Sequence, residues 1–253
     1  RPAIVIVTGS QIAHDHAARD PRIVVVDKAN EGYGATCNRG IALADGEWVA
    51  IVEPDDYLDP TMYEKLVACA PHAVEIRAAH ALLAGAPAIW AGMYRREFLS
   101  RAGVRFREVP GAGWTDNPFL IETMCQAKAI VYLDKPYYNY RSDLEGSTLN
   151  HKTVEAIVRP FDRWEDMLAI IERLGITDKR ILRAHCQRGI NYSFGAIHDD
   201  GWDNPHVRER VTKCFHEMDP ELVLSIDDIA RSGKWDMECA QALCGITANV
   251  CRR

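Results

Sequence analysis

Residues 30–60 read NEGYGATCNRGIALADGEWVAIVEPDDYLDP, and this stretch decides the fold. A glycine-bearing loop leads into a helix predicted over residues 34–45. A turn then joins that helix to an apolar strand from Trp48 to Val52, and an acidic loop follows the strand. Gly32 and Gly34 permit tight backbone geometry and the close approach of a ligand. Loop, helix and buried strand in this order indicate an α/β unit.

The acidic loop carries three carboxylates within four residues, Glu53, Asp55 and Asp56. They come directly after a strand, and open α/β sheets bind ligands at the carboxyl ends of their strands. Such carboxylates repel one another unless a positive group compensates them, and a divalent cation would do so. An Asp-rich turn that caps a helix beginning near residue 61 would explain the same pattern. The loop by itself leaves both interpretations open.

Outward from this stretch, continuous apolar strands alternate with helices. Because such strands are typical of a sheet covered on both faces, the pattern predicts a Rossmann-like α/β domain with a mostly parallel sheet. We expect this domain to span residues 1–150. Its predicted strands are 3–7, 22–26 and 47–53, followed by 88–94, 129–133 and 137–141, and its predicted helices include 10–19, 60–69, 95–102 and 116–127.

Residues 151–253 carry helical patterns only and form a predicted all-helical extension. In the helix predicted over 161–174, one face holds Phe161, Trp164, Leu168, Ile171 and Leu174. The polar face of this helix is mixed in charge, which favours core packing over membrane binding. Further helices are predicted near 180–198, 206–216, 220–230 and 235–250.

Composition narrows the function classes. The net charge of −6 gives no basic footprint for a nucleic acid. No run of about 18 apolar residues exists that could span a membrane. Eight cysteines occur without a CxxC pair, which favours reduced, buried thiols in a cytoplasmic protein over disulfides or a zinc site.

The motifs together resemble the family 2 glycosyltransferases, in particular those that build bacterial polysaccharides. The stretch 30–60 is similar to the family's signature, and further similar segments cover roughly residues 1–150. Matching positions are Gly32, Gly34, Asn38, Gly40, Ala44, Gly46, Glu47, Asp55, Asp56 and Pro60, with Asp20–Ile23, Met93–Leu99, Gly103–Phe106, Asp116, Phe119, Tyr140, Arg141, Ser147 and Thr148.

The resemblance implies a GT-A fold and an inverting transfer of a sugar from a nucleotide-diphosphate donor, expected to be a UDP-sugar, to a hydroxyl acceptor. It implies Mn²⁺ or Mg²⁺ as cofactor, held by Asp55 and Asp56, and Asp116 as the general base. Trp114 would contact the acceptor. The implied contacts of the nucleotide-sugar are Asn30, Gly32, Asn38, Glu53, Asp55, Asp56 and Arg141.

Three of these residues have plainer alternatives that the sequence leaves open. Asp116 begins a predicted helix and would serve equally as an N-cap, where the helix dipole would hold it ionised. Trp114 stands in a glycine loop and would also suit a packing anchor. Arg141 ends a predicted strand and would also suit a solvated position.

The chain departs from the family pattern at several places. Glu53 stands where an Asp is usual, Cys37 replaces an Arg, and Thr115 replaces the Glu of a Glu-Asp pair. The family's first strand and the Asp-Asp-Gly-Ser loop expected after Val7 are absent. We therefore expect segments of the complete domain to be missing from this sequence, with a second gap within residues 76–88.

These departures leave a second hypothesis, a catalytically inactive module that binds nucleotide-sugars on the same scaffold. A nucleotidyltransferase is a third hypothesis, but the Gly-rich loop with a Lys that it requires is not visible. The expected partners are a nucleotide-sugar donor and a saccharide or lipid-linked saccharide acceptor, without nucleic acid. Peripheral association with the inner face of a membrane and homodimer formation stay open.

Overall fold

The computed structural model describes residues 4–7, 10–72, 74–75, 83, 85, 88–111, 113–141 and 153–226. The chain divides into two compact units, residues 1–77 with 87–145, and residues 78–86 with 146–253. Strands and helices alternate in the first unit, and helices build the second. The predicted α/β class with a helical extension therefore agrees with the order of the elements.

The first unit begins with β1 (Ile4–Val7), α1 (Gln11–Ala17), β2 (Ile23–Val26), α2 (Tyr33–Leu43) and β3 (Trp48–Ala50). It continues with β4 (Tyr57–Leu58), α3 (Met62–Cys69), a 3₁₀ turn (Ala70–His72) and β5 (Val74–Glu75). A second 3₁₀ turn (Ile89–Ala91), β6 (Met93–Arg95), α4 (Arg96–Arg101), α5 (Asp116–Gln126), β7 (Ala129–Ile130) and β8 (Tyr138–Asn139) complete it. Ile89–Ala91 thus forms a turn where a strand over 88–94 was predicted.

The strands of the described residues form two-stranded ladders. β1 and β2 run parallel, with Ile4 opposite Ile23. The pairs β3–β6, β4–β8 and β5–β7 are antiparallel. This differs from the expected mostly parallel arrangement, because these pairs join strands that are distant in sequence. The local alternation of strand and helix does not fix the direction of such pairs.

The β1–β2 ladder is less buried than its sequence predicts. Every side chain in it is apolar, yet none is fully buried, and Ile4 and Val24 are each 46% exposed. Within the described residues β1 pairs with β2 alone. A parallel ladder requires cover on both faces, which the described residues supply only in part.

The core of the first unit is centred on α5. The rings of Phe106 and Phe119 stack with centroids 4.1 Å apart, and Tyr94 meets Phe119 edge-on. Most of α5 is buried, which fixes the position of its first residue, Asp116. The buried apolar side chains of the unit include Leu120 and Ile121 of α5, together with Met62, Ile89, Leu99 and Val104.

The second unit is helical, with α6 (Val154–Arg173), α7 (Lys179–Asp200), α8 (Pro205–Glu217) and α9 (Pro220–Leu224). The predicted helix near 235–250 lies outside the described residues. Phe161, Trp164 and Ile171 of α6 are buried, as core packing predicts, and Met167 joins them. Leu168 and Leu174, predicted on the same face, are only half-buried.

A buried histidine marks the centre of this helical core. The ring of His185 stacks on Trp164 at 4.4 Å, and the Trp164 indole donates to the His185 carbonyl at 3.0 Å. Burial, and then the nearby Arg188, lower the pKa of His185 to about 3. The ring is therefore neutral at physiological pH and acts as a packing residue.

Two further features agree with the composition. The cysteines of the described residues, Cys37, Cys69, Cys125, Cys186 and Cys214, are free thiols. Among the helices that the structure describes, none combines the length and the apolar composition that a membrane crossing requires.

Candidate active site

Two glycines set the start of α2 against a neighbouring segment. A Cβ atom at Gly32 would lie 2.1 Å from the Val109 carbonyl oxygen, and one at Gly34 would lie 2.0 Å from that of Arg107. Gly32 also has a φ of +92°, which favours glycine. The Tyr33 N–H donates to the Gly111 carbonyl at 2.8 Å, so the start of α2 and residues 107–111 are in backbone contact.

Asn38, one turn further along α2, joins the helix to residues 106–108 by hydrogen bonds. Its Oδ1 accepts the Phe106 N–H at 2.9 Å, and its Nδ2 donates to the Phe106 carbonyl at 3.0 Å and to Glu108 at 2.9 Å. The side chain is buried. Asn38 was predicted to contact the nucleotide-sugar, and in this structure its amide holds residues 106–108 in place.

The acidic loop after β3 is fixed mainly through Asp56. Its Oδ2 accepts the Tyr138 hydroxyl at 2.5 Å, and its Oδ1 accepts the Arg141 backbone N–H at 2.7 Å. Asp55 beside it is exposed to solvent. Neither residue closes the turn before α3, because Asp59 accepts the Thr61 N–H and hydroxyl at 2.8 and 2.7 Å. Asp59 thus makes the turn that leads into α3, whose N-cap is Thr61 without a side-chain capping bond.

Asp116 is the first residue of α5 and follows a strained loop. Gly111, Gly113 and Trp114 have φ values of +70°, +65° and +55°. The left-handed conformation costs a residue other than glycine about 1–2 kcal/mol, and such strain is common at functional sites. Asn117 donates its N–H and Nδ2 to Asp116 Oδ1 at 3.0 and 3.1 Å. These bonds orient the Asp116 carboxylate, and the N-cap position belongs to Thr115.

Glu53, Asp55, Asp56 and Asp116 form one group, the carboxylate cluster. Burial is the main cause that raises the pKa of Glu53, and the charges of Asp55, Asp56 and Asp116 raise it further. The Tyr33 hydroxyl opposes this shift by donating to Glu53 Oε1 at 2.5 Å. The structure therefore brings the acidic loop and the predicted general base within electrostatic reach of each other.

Cys37, which stands where the family has an arginine, belongs to the same environment. Burial raises the pKa of its thiol to about 12, a hydrogen bond with Tyr33 opposes the rise, and Glu53 and Asp116 add to it. Cys37 therefore stays a neutral thiol and supplies no positive charge to the carboxylate cluster.

A charge-neutral variant of Glu53 should stabilise the first unit at neutral pH. The folded state holds the Glu53 proton more tightly than the unfolded chain does. The stability that the protonated Glu53 contributes is therefore complete below the pKa of Glu53 in the unfolded chain. It is lost as the pH rises through the raised pKa of the folded state. Glu53→Gln keeps an oxygen for the Tyr33 hydroxyl and removes the charge. We expect a higher melting temperature than wild type at neutral pH and a vanishing difference near about pH 4. An equal or lower melting temperature at neutral pH would contradict this.

The carboxylate cluster suits a divalent cation that takes only part of its shell from the protein. Within the described residues, no three His, Cys, Asp or Glu side chains converge closely enough to hold a metal alone. Mg²⁺ and Mn²⁺ sites commonly use one or two carboxylates and complete the shell with substrate phosphates and water. The exposed Asp55 fits this role, whereas both oxygens of Asp56 already accept protein hydrogen bonds.

Three predicted site residues line a different cleft. Asn30, Gly32 and Asn38 border a cleft of about 750 Å³, and no member of the carboxylate cluster does. For Asn38 the reason is the helical period of α2, because Ala35, Asn38, Arg39 and Ala42 face this cleft while Tyr33 and Cys37 face the carboxylate cluster. Asn30 and Gly32 lie in the loop that precedes α2. The cleft is also lined by Val26–Lys28, Glu31, Arg105 and Glu108–Gly111.

The remaining predicted residues lie near the carboxylate cluster. Arg141 is exposed and bonded to Asp56 through its backbone, and the half-buried Trp114 lies two residues before Asp116. Sequence reasoning gave no site role to Tyr33, Trp90, Tyr138 and Tyr140, and noted Tyr140 only as a position that matches the family. Tyr33 and Tyr138 donate to Glu53 and Asp56, and Trp90 meets the rings of Tyr138 and Tyr140. The alternation of Tyr138 and Tyr140 along a predicted strand was the available signal for the last two.

Comparison with known proteins confirms the resemblance and the fold. Residues 4–72 match the sequence profile of the family described as Glycosyl transferase family 2. The glycosyltransferase EpsJ of Bacillus subtilis (strain 168) is 28% identical over 175 residues, which cover 53% of this chain and 48% of EpsJ. YibD of Escherichia coli (strain K12) is 40% identical over 72 residues, 26% of this chain and 21% of YibD. The matched region thus spans about half the length of EpsJ and about a fifth of the length of YibD.

Solved structures show the fold. Residues 1–349 of S. aureus TarS in complex with UDP-GlcNAc match with a TM-score of 0.70 at 14% identity, over 98% of this chain and 80% of TarS. The UDP complex of TarS matches with a TM-score of 0.67 at 15% identity, over 98% and 79% of the two chains. At this identity the likeness establishes the GT-A type of fold.

Proposed function

We propose that this protein transfers a sugar from a nucleotide-diphosphate sugar to a hydroxyl acceptor with inversion, as the match of residues 4–72 to the family 2 glycosyltransferase profile supports. The observation that carries the proposal is the carboxylate cluster, in which the acidic loop after β3 meets Asp116 at the start of α5. One catalytic base and one cation-binding loop are the two components that such a transfer requires.

The proposed reaction follows from these positions. The acceptor oxygen attacks the anomeric carbon and loses its proton to the Asp116 carboxylate, which Asn117 orients. The bond between the anomeric carbon and the phosphate oxygen breaks, and the nucleotide diphosphate leaves with the electron pair. Attack from the face opposite the leaving group inverts the anomeric centre.

Asp55 would hold a divalent cation, with Asp56 at its side. Bound there, Mn²⁺ or Mg²⁺ would neutralise the charge that develops on the leaving diphosphate. Without a cation, the carboxylate cluster would repel the diphosphate, and Cys37 offers no charge in compensation. Glu53 is held by Tyr33, so it serves the electrostatics of the cluster and orients Tyr33.

We propose a UDP-sugar as the donor, since the TarS structures of the same fold hold UDP-GlcNAc and UDP. The acceptor would be a saccharide, free or lipid-linked, in the synthesis of a polysaccharide. Glycosyltransferase names among the relatives support this class of reaction and leave the individual sugars open.

Asp55→Asn should weaken the binding of UDP in the presence of Mn²⁺. The amide removes the charge that the cation needs, and the affinity should fall at least about tenfold, the loss that is usual even for residues one step removed from a metal. Calorimetric titration of UDP with Mn²⁺, and with EDTA in its place, measures this. Asp134→Asn, an exposed carboxylate of the same unit, is the matched control.

Two outcomes would count against the proposal. If wild-type protein binds UDP equally well in Mn²⁺ and in EDTA, no cation takes part in UDP binding. If no UDP-sugar of a panel binds in the presence of Mn²⁺, the proposed donor class is wrong. UDP-sugar binding with no release of UDP, to water or to any saccharide, would instead favour the inactive binding module.

A further inference from the structure

Trp90 and Tyr140 form a stacked aromatic pair beside the carboxylate cluster. Their ring centroids are 5.6 Å apart and their planes differ by 22°. Tyr140 is 55% exposed, and Trp90 is half-buried. The pair differs from the singly exposed Tyr132 because two rings stack at the edge of a polar site and offer a preformed aromatic face to a ligand.

The position of Tyr140 is fixed by Asp56. Tyr138 and Tyr140 alternate along one extended segment and therefore share a face, and the ring of Tyr138 also meets Trp90 at 6.1 Å. Asp56 accepts the hydroxyl of Tyr138 and the N–H of Arg141, the residues on either side of that part of the segment. Both bonds hold the Tyr140 ring next to the acidic loop.

Trp90 is held from the other side. It occupies the middle of the 3₁₀ turn Ile89–Ala91, and Ile89 is 1% exposed. The Tyr94 hydroxyl donates to the Ile89 carbonyl at 3.0 Å, and the Tyr94 ring packs on Phe119 of α5. These contacts position Trp90 before any ligand arrives, and a preformed surface lowers the entropic cost of binding.

The pair lies within electrostatic reach of the whole carboxylate cluster. Partial burial, and then the charges of Asp56, Asp55, Asp116 and Glu53, raise the pKa of Tyr140. A ligand that lies on the aromatic pair therefore presents its edge to groups that accept hydrogen bonds and, when ionised, donate none. Such a site favours a ligand with an apolar face and an edge rich in hydroxyl donors.

We propose that the Trp90–Tyr140 pair is the platform on which a sugar ring of the acceptor saccharide stacks. This assignment rests on the proposed glycosyl transfer and identifies its acceptor subsite. A pyranose has a C–H face for the outer face of the exposed Tyr140 ring, which Trp90 backs from the other side, and hydroxyl groups for the carboxylates. A pyrimidine base would stack as well, but uracil offers these acceptors a single N–H donor between two carbonyl oxygens, whereas a pyranose offers several hydroxyl donors.

The test is an NMR titration of the full chain with maltotriose, cellotriose and chitotriose, beside a calorimetric titration of UDP with Mn²⁺. Trp90→Ala and Tyr140→Ala should each weaken saccharide binding at least about tenfold, as truncation of an aromatic anchor does. Tyr140→Phe keeps the ring and should bind within about twofold of wild type. Tyr132→Ala removes a tyrosine that is 74% exposed in the same unit, and should change nothing. UDP binding should be unaffected in every variant.

Three results would overturn the assignment. In the first, the saccharides still bind to both Trp90→Ala and Tyr140→Ala. In the second, none of the three saccharides binds to the wild-type protein. In the third, the two alanine variants no longer bind UDP. The last would assign the pair to the nucleobase. If saccharide binding depends on the pair but the protein binds no UDP, the proposed glycosyl transfer is wrong and the assignment of the saccharide subsite stands. Tyr140 lies at the surface, so Tyr140→Ala decides the question even if Trp90→Ala fails to fold.

Discussion

Asp116→Asn is expected to reduce the turnover of a UDP-sugar by about 10²–10⁴-fold, the usual contribution of a general base. The carboxamide has nearly the same shape and retains an oxygen for the two hydrogen bonds from Asn117. It cannot take the proton of the attacking hydroxyl. Because the fold and the acidic loop are unchanged, the loss should fall on kcat. The measurement is the release of UDP from UDP-sugars in Mn²⁺, with water or an added saccharide as acceptor.

The control for this variant is Asp45→Asn, which removes an exposed carboxylate from the turn before β3 and should leave turnover unchanged. The affinity of Asp116→Asn for UDP in Mn²⁺ should stay within about fivefold of wild type. The variant removes one negative charge that does not contact UDP, and this changes the binding free energy by about 1 kcal/mol or less. Unchanged turnover would show that Asp116 is not the base. A matching collapse of UDP affinity would show that it binds the donor instead.

Gly34→Ala should lower the free energy of unfolding of the first unit by about 3 kcal/mol or more, at the upper end for overpacked sites. The new Cβ would lie 2.0 Å from the Arg107 carbonyl oxygen and 3.3 Å from Phe106 Cβ. The first contact is with backbone, so no rotamer change relieves it. α2 must then separate from residues 106–108, which would also break the hydrogen bonds of Asn38.

Gly40→Ala is the matched control in the same helix. Among the residues that the structure describes, its Cβ would meet only Val7 Cγ2, at 3.9 Å, which is an ordinary contact. Alanine is the better helix former, so this variant should be stabilised by about 0.5–1 kcal/mol. Because the chain has two units, hydrogen exchange of the amides in α2 and at Phe106 is the suitable measurement. Equal protection in both variants would show that residues 106–108 move away at little cost.

The sequence determined the local parts of this protein. The glycine loop, α2, β3 and the acidic loop lie where residues 30–60 predict them, because helix and strand periods and turn residues act over a few positions. The helical extension was equally predictable, since the apolar face of α6 repeats with the helical period. The resemblance to the family 2 glycosyltransferases followed from the order of motifs, which is also a linear property, and residues 4–72 match that family's profile.

The roles of single residues near those motifs were less predictable. Asn38 lies at a family position, yet its amide bonds to Phe106, 68 positions away. Asp59 rather than Asp55 or Asp56 closes the turn before α3. Spacing shows which residue types are close in sequence, and it does not show which hydrogen-bond donor each acceptor will meet.

Only the tertiary structure decided which side chains share a site. It set Asp56 against Tyr138, brought Trp90 onto Tyr140 and placed Asp116 near the acidic loop, whereas Asn30, Gly32 and Asn38 line another cleft. The directions of the β3–β6 and β4–β8 pairs were also set at this level. The physical reason is common to all of these. Contacts between distant segments depend on how whole elements pack, and burial of their apolar faces selects that packing for the entire unit at once.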